Sequence, residues 1–110
     1  MGADAARVTV VIVNWNGLQH LPQCLRTLQQ QTMGAFRALV MDNGSTDGSA
    51  ELVPALQDPR FRLVRLGSNQ GFARANNLAV AQADTPWVAL LNPDAFPTPD
   101  WLEQLLAAAA

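Results

Sequence analysis

Four short apolar runs, each passing into a polar cluster and then into a stretch with helical spacing, constrain this chain more than any other feature. Val8 to Asn14 is the strongest, rich in β-branched residues and almost wholly apolar, as expected of a strand covered on both faces in a parallel sheet. Leu18, Leu21, Leu25 and Leu28 then recur at steps of three and four and predict an amphipathic helix to about Gln31. Phe36 to Met41 is a second strand, and the turn formers Asp42 to Gly48 lead into a helix from about Ser49 to Leu56 that Pro54 should shorten or bend. Phe61 to Leu66 reads as a third strand open on one side, followed by a small-residue helix over Ala73 to Ala83. Trp87 to Leu91 reads as a fourth, buried strand. Thr98 reads as the N-cap and Pro99 as the first residue of a last helix through Trp101, Leu102, Leu105 and Leu106. Strand and helix alternate four times, which implies a Rossmann-like, mostly parallel sheet in a three-layer α/β/α sandwich with right-handed crossovers.

The 110 residues suit one domain, and a hydrophobic share of 49% is ample for a core. Residues 1–110 are therefore expected to form a single domain. Seven arginines and no lysine stand against nine acids, a net charge of −2. No overall field draws such a chain to nucleic acid or to an anionic membrane. The lone Cys24 cannot form an internal disulfide, which makes the cytoplasm the default location. Met1 to Arg7 carries an acid where a signal peptide needs base, and Ala6 stands where myristoylation needs Ser or Thr. No run approaches the roughly 20 apolar residues that span a bilayer. The sequence stops within an uncapped amphipathic pattern ending in Ala107 to Ala110, as expected of a piece of a longer protein.

In open α/β sheets, ligands bind beyond the carboxyl ends of the strands. Asn14-Trp15-Asn16-Gly17, Asp42-Asn43-Gly44-Ser45, Asn69-Gln70-Gly71 and Asn92-Pro93-Asp94 are all expected there. Any one of these loops is explained by turn formation alone; four along one rim read as a site. Neither a dinucleotide fingerprint nor a P-loop is present, and one His and one Cys cannot build a zinc centre. His20, beside Pro22 on the first helix, is expected to be solvated and away from the acidic loops. Two carboxylates remain. Asp42 suits the donor edge of a base or a ribose hydroxyl, with an Asx-turn over Gly44 as the alternative. Asp94 suits Mg²⁺ or Mn²⁺ held together with substrate phosphates, with a simple turn after Pro93 as the alternative.

Val8 to Gly17, Met41 to Gly48, Asn69 to Ala73 and Leu91 to Asp94, in that order and spacing, resemble the family 2 glycosyltransferases of the GT-A fold, and in particular the rhamnosyltransferase-like branch. The resemblance covers nearly the entire chain. It implies a nucleotide-diphosphate sugar donor (a dTDP- or UDP-sugar), a saccharide or lipid-linked acceptor, inversion at the anomeric carbon, and a divalent metal at a D-x-D motif. On this likeness Asp42, with Asn43 beside it, matches the acid that holds the base, and Val13, Asn14 and Trp15 the segment along the nucleotide. Gly71 and Asn77 fall in the N-x-G-x-x-x-A-x-N block that lines the donor pocket, with Asn69 and Ala75. Arg74 fits a phosphate contact or a solvated helix position equally well. Asp94 matches the last acid of D-x-D, whereas Asn92 replaces the first, which weakens metal binding or turns that position to sugar or ribose hydroxyls. The family's catalytic base lies beyond D-x-D and is not within these residues, so the 110-residue chain alone is expected to be inactive.

Other readings are a nucleotide-binding module without transfer activity and a generic Rossmann-like interaction domain. Trp87 and Trp101 read as core, Trp15 as a stacking surface, and Cys24 as a small buried hydrophobe. Apolar surface, including part of the Leu102, Leu105 and Leu106 stripe, is expected to be exposed and to promote self-association.

Overall fold

A computed structural model describes residues 5–109; the reading of a leader or lipid signal rests partly on Met1 to Asp4, outside the described residues. The strands are β1 (Val8–Asn14), β2 (Phe36–Asp42), β3 (Phe61–Arg65) and β4 (Trp87–Leu90), all parallel in the order β3-β2-β1-β4. Their carboxyl ends therefore share one rim. In register, Asn14 stands opposite Asp42, and Asp42 opposite Arg65. The helices are α1 (Leu21–Gln29), α2 (Leu52–Ala55, after a 3-10 turn over Ser49–Glu51), α3 (Phe72–Gln82) and α4 (Trp101–Ala109). Among the described residues no helix is long and apolar enough to cross a membrane.

Alternation along β1 divides the core in two. Val8, Val10 and Ile12 face Leu21, Cys24, Leu25 and Leu28 of α1, Val53 of α2, and Leu102 and Leu106 of α4. Val11 and Val13, with Leu39 and Met41 of β2, face Ala75 and Ala79 of α3. Those two alanines are fully buried, and their small side chains let α3 lie close to the sheet. The sandwich thus has three helices on one face and one on the other, the three-layer α/β/α arrangement expected from the sequence.

Four expectations need correction. The first helix begins at Leu21 rather than Leu18, because the Gly17 carbonyl accepts from both His20 N and Leu21 N and so turns the chain into α1; Leu18 is 46% exposed. The β4 strand is not buried, and Trp87 is not core. Val88 and Leu90, in register with Thr9 and Val11, are exposed because α3 covers β1 and β2 and leaves the outer strand open, while Trp87, in register with Val8 on the opposite face, is exposed at the sheet edge beside the end of α4. Thr98 does not cap the last helix; its hydroxyl donates to the Asp100 carboxylate at 2.8 Å, and α4 starts at Trp101. The Leu102/Leu106 side of the α4 stripe is buried, and only Leu105 is exposed. Trp101 packs half-buried against the core. Gln31 ties α4 down from below: its amide donates to the Thr98 carbonyl at 2.7 Å and accepts from Leu102 N at 2.9 Å.

Away from the rim, Arg60 binds Asp58 through Nε at 3.0 Å and Nη2 at 2.8 Å while its guanidinium lies over the Phe36 ring. The Arg60 contacts hold the Asp58 carboxyl down at about 2, below its usual 3.8. As pH falls, the unfolded chain takes up this proton first. The stability contributed by Asp58 is therefore complete above pH 3.8 and is lost as pH falls toward 2. Urea midpoints for Asp58→Asn should lie below wild type at pH 6 and approach it in that acid window.

Candidate donor site at the carboxyl rim

The first two rim loops are built as one unit around Asn14. This side chain is fully buried, and its amide donates to Asp42 Oδ1 at 3.1 Å, Ser49 Oγ at 2.9 Å and Ser45 Oγ at 3.3 Å. The Ser49 hydroxyl hydrogen is committed to Asp47, so Ser49 Oγ receives the Asn14 amide as acceptor. Ser45 N donates to Asp42 Oδ2 at 3.0 Å. Asn16 N donates to Ser45 Oγ at 2.8 Å, Thr46 N to Asn16 Oδ1 at 2.8 Å, and Leu18 N to Asp47 Oδ2 at 3.0 Å. Ser49 leads the contacts that hold the Asp47 carboxyl below its ordinary range. The remaining Asn14 Oδ1 is buried without a partner, against Gly17, where any Cβ would overlap it. Gly17 is thus required by proximity.

Asn43 joins the second loop to the third. Its Oδ1 accepts from Gln70 N at 3.1 Å and its Nδ2 donates to the Gly71 carbonyl at 3.3 Å. The fourth loop rests on α1, where Cys24 Sγ lies 3.7 Å from the Asn92 carbonyl. Burial, with the Asp94 charge adding to it, pushes the Cys24 thiol up to about 12. It therefore remains a protonated, weak donor rather than a nucleophile.

Between these loops lies a hollow of about 490 Å³ lined by Val13, Trp15, Asn16, Gly17, His20, Asn43, Asn69, Phe72, Asn92, Pro93 and Asp94. Of the expected site residues, Val13, Trp15, Asn43, Asn92 and Asp94 meet here. Asn14 and Asp42 do not line the hollow; they pack beneath it, with Asp42 only 3% exposed. Gly71 and Asn77 are exposed but outside its lining. The neighbouring Asn76 is the buried one, donating to the Phe72 carbonyl. Arg74 Nε is engaged by Gln70 Oε1 at 2.8 Å.

Two lining residues escape the sequence reading. His20 lies on the hollow with Asp94 and not away from it, because the turn at Gly17 brings the start of α1 up to the rim. Phe72, 58% exposed, lines the hollow with Trp15, 56% exposed; an aromatic at the first position of an otherwise small-residue helix was the available signal.

Among the described residues no group of three or more His, Cys, Asp or Glu side chains is placed to hold a metal ion. The amide oxygens of Asn16, Asn43 and Asn69 already accept from backbone N–H groups; the other side-chain oxygens on the hollow are the Asp94 carboxylate and the Asn92 amide oxygen, both exposed. Such a set fits Mg²⁺ or Mn²⁺ only in the mode where one carboxylate and substrate phosphates share the ion.

Residues 9–110 match the model of Glycosyl transferase family 2. The chain is 34% identical over 112 residues to the N-acetylglucosaminyl-diphospho-decaprenol L-rhamnosyltransferase of Mycobacterium tuberculosis, an alignment covering 92% of this chain and 36% of that protein. Its fold superposes on S. aureus TarS, solved with UDP-GlcNAc, with a TM-score of 0.86 at 22% identity, covering 92% of this chain and 30% of the other. It also superposes on the mannosyltransferase PcManGT from Pyrobaculum calidifontis, solved with GDP-Man and Mn²⁺, with a TM-score of 0.83 at 28% identity, covering 93% and 32%. The chain spans 13% to 36% of the length of the curated relatives it matches. With four parallel strands carrying these loops on one rim and the family model matched over residues 9–110, the chain belongs to glycosyl transferase family 2.

Proposed function

We propose that residues 1–110 form the donor-binding part of an inverting glycosyltransferase that acts in the cytoplasm on a nucleotide-diphosphate sugar and a saccharide or lipid-linked acceptor. The observation that carries this reading is the hollow itself, where Asn43 and Asn69 stand at one end and Asn92 and Asp94 at the other. Strand order β3-β2-β1-β4 spaces these loops across the rim. A nucleoside seated over the second and third loops directs its diphosphate toward the fourth. Val13 and Trp15 flank the nucleotide between them. The sugar complexes of TarS and PcManGT support this assignment of the donor.

Asp42 serves the nucleoside end from beneath, by fixing Asn14 and Ser45 and through them Asn16. Gly71 acts through its carbonyl, which anchors Asn43, while Asn77 is left for contacts outside the hollow. Asp94, with the Asn92 amide oxygen, would hold a divalent cation against the diphosphate. When bound, that ion neutralises charge developing on the leaving group. In transfer, the acceptor oxygen bonds to the anomeric carbon from the face opposite the departing phosphate oxygen, and the acceptor proton passes to a base. Asp94 is the one carboxylate lining the hollow among the described residues and is assigned to the ion, so these residues bind the donor without completing transfer. Self-association of the chain would use the exposed Trp87, Val88 and Leu90.

Calorimetry with UDP and dTDP, each with and without Mn²⁺, tests this function. Mn²⁺ should tighten wild-type binding about tenfold, or about 1.4 kcal/mol, and Asp94→Ala should abolish that gain. Asp94 is exposed, so its removal should change stability by less than about 0.5 kcal/mol. Absence of nucleotide binding under every condition would overturn the donor reading. Binding indifferent to Mn²⁺ would remove the cation from it.

A further inference from the structure

We propose that His20 is a diphosphate-binding residue of this site, its imidazole donating a hydrogen bond to phosphate oxygens of the nucleoside diphosphate at the Asp94 end of the hollow. The inference rests on the donor-site reading above and adds a residue that the family motifs do not contain.

Charge supplies the first reason. A nucleoside diphosphate brings several negative charges, and Asp94 adds another, yet among the described residues no arginine lines the hollow, and the chain has no lysine. Arg74, the arginine nearest in sequence to the third loop motif, has its Nε on Gln70. Among the described residues, His20 is the single lining side chain able to carry positive charge. The charged groups around it are Asp94 from the loop after β4 and Asp47 of the second loop, which holds Leu18 N two residues away. Asp47 is already engaged by three protein donors, Ser49 N, Ser49 Oγ and Leu18 N.

Geometry supplies the second. The backbone of His20 is fixed on both sides, His20 N donating to the Gly17 carbonyl at 2.9 Å and His20 O accepting from Cys24 N at 3.2 Å. Its side chain is exposed and is not spent capping α1. Phe96 flanks the ring, centroid to centroid 6.4 Å. The position at the N-cap of α1 adds the partial positive charge of the helix start, which favours an anion in the same place. Finally, the start of α1 lies against the fourth loop, with Cys24 Sγ 3.7 Å from the Asn92 carbonyl and the His20 ring beside Phe96, and β4 is the strand farthest from β3, so His20 meets the phosphate end of a donor seated over the second and third loops.

The test compares wild type, His20→Gln and His20→Ala in binding UDP by calorimetry and uridine by NMR titration, each with EDTA and with Mn²⁺. Thermal unfolding within a few degrees of wild type confirms an intact fold. UDP affinity should fall about fivefold to tenfold in His20→Ala in both the EDTA and the Mn²⁺ arm, as for loss of a charge-assisted hydrogen bond, with uridine affinity unchanged. The His20 ring proton shifts should respond to UDP and not to uridine. Unchanged UDP affinity overturns the inference and leaves the donor site standing. A loss confined to the Mn²⁺ arm overturns it by making His20 a metal ligand, and an equal loss for uridine overturns it by making the residue structural. Failure of wild type to bind UDP overturns the donor site and this inference together.

Discussion

Replacing Gly44 with alanine is expected to destabilise the protein by about 3 kcal/mol and to disorganise the nucleoside end of the hollow. Two penalties combine. At φ +83° the backbone is left-handed, which costs a residue with a Cβ about 1–2 kcal/mol. The new Cβ would also stand 3.0 Å from Ser68 Cα, 3.1 Å from Ser68 C and 3.3 Å from Asn69 N. These are backbone atoms and cannot swing aside, so overpacking adds about 1–3 kcal/mol. Gly48 isolates the first penalty, since its φ is +84° with nothing within 4 Å of a Cβ. Gly48→Ala should therefore cost only about 1 kcal/mol. Urea unfolding at constant m-value reads the difference. If the two variants unfold at the same midpoint, the close approach of the second and third loops is not what Gly44 secures. The distinction bears on function because Asn43 and Asn69, on either side of that contact, both line the hollow.

Local pattern carried the elements and left their surroundings undetermined. Each strand was legible to within one residue because β-branched apolar runs end sharply at Asn, Asp and Gly. The helix starts were less so: Leu18 continues the three-four spacing of α1, but Gly17 closes a turn that the spacing does not register. Burial of β4 was misread because its apolar residues resemble those of β1, and what separates the two strands is the placement of α3, which no local signal encodes. Within the site, the sequence identified the loops and not the direction of each side chain. Asn14 and Asp42 are register partners and point together beneath the rim, whereas Trp15, one residue on, opens onto the hollow. One step of strand parity thus decides whether a polar residue supports the site or faces a ligand. His20 was misplaced for a related reason. Its position follows from a turn in three dimensions, and helical spacing alone puts it on a solvated face.

The parity of Asp42 leads to an expected result that differs from that of a surface ligand. Asp42→Ala should lower stability by about 3 kcal/mol, since hydrogen bonds to a charged acceptor contribute about 1.5–3 kcal/mol each and two are lost, from Asn14 Nδ2 and Ser45 N. Ser49 and Ser45 still receive the Asn14 amide, which keeps the total below the sum. Asp42→Asn retains the volume but offers one acceptor and one NH₂ to two donors, so one donor meets a donor. Its cost should be about 2 kcal/mol, the desolvation penalty of an unmatched buried group. Both variants should weaken UDP binding in calorimetry only as far as the loops loosen, and Asp94→Ala should show the converse, weakened binding with an unchanged urea midpoint. If instead Asp42→Ala unfolds with wild type while losing UDP, the carboxylate contacts the nucleotide directly and the second loop must open to admit it. Buried hydrogen bonds and exposed ligands thus give opposite signatures in the same two measurements, and the acid buried beneath one end of the hollow and the acid lining the other separate them within a single fold.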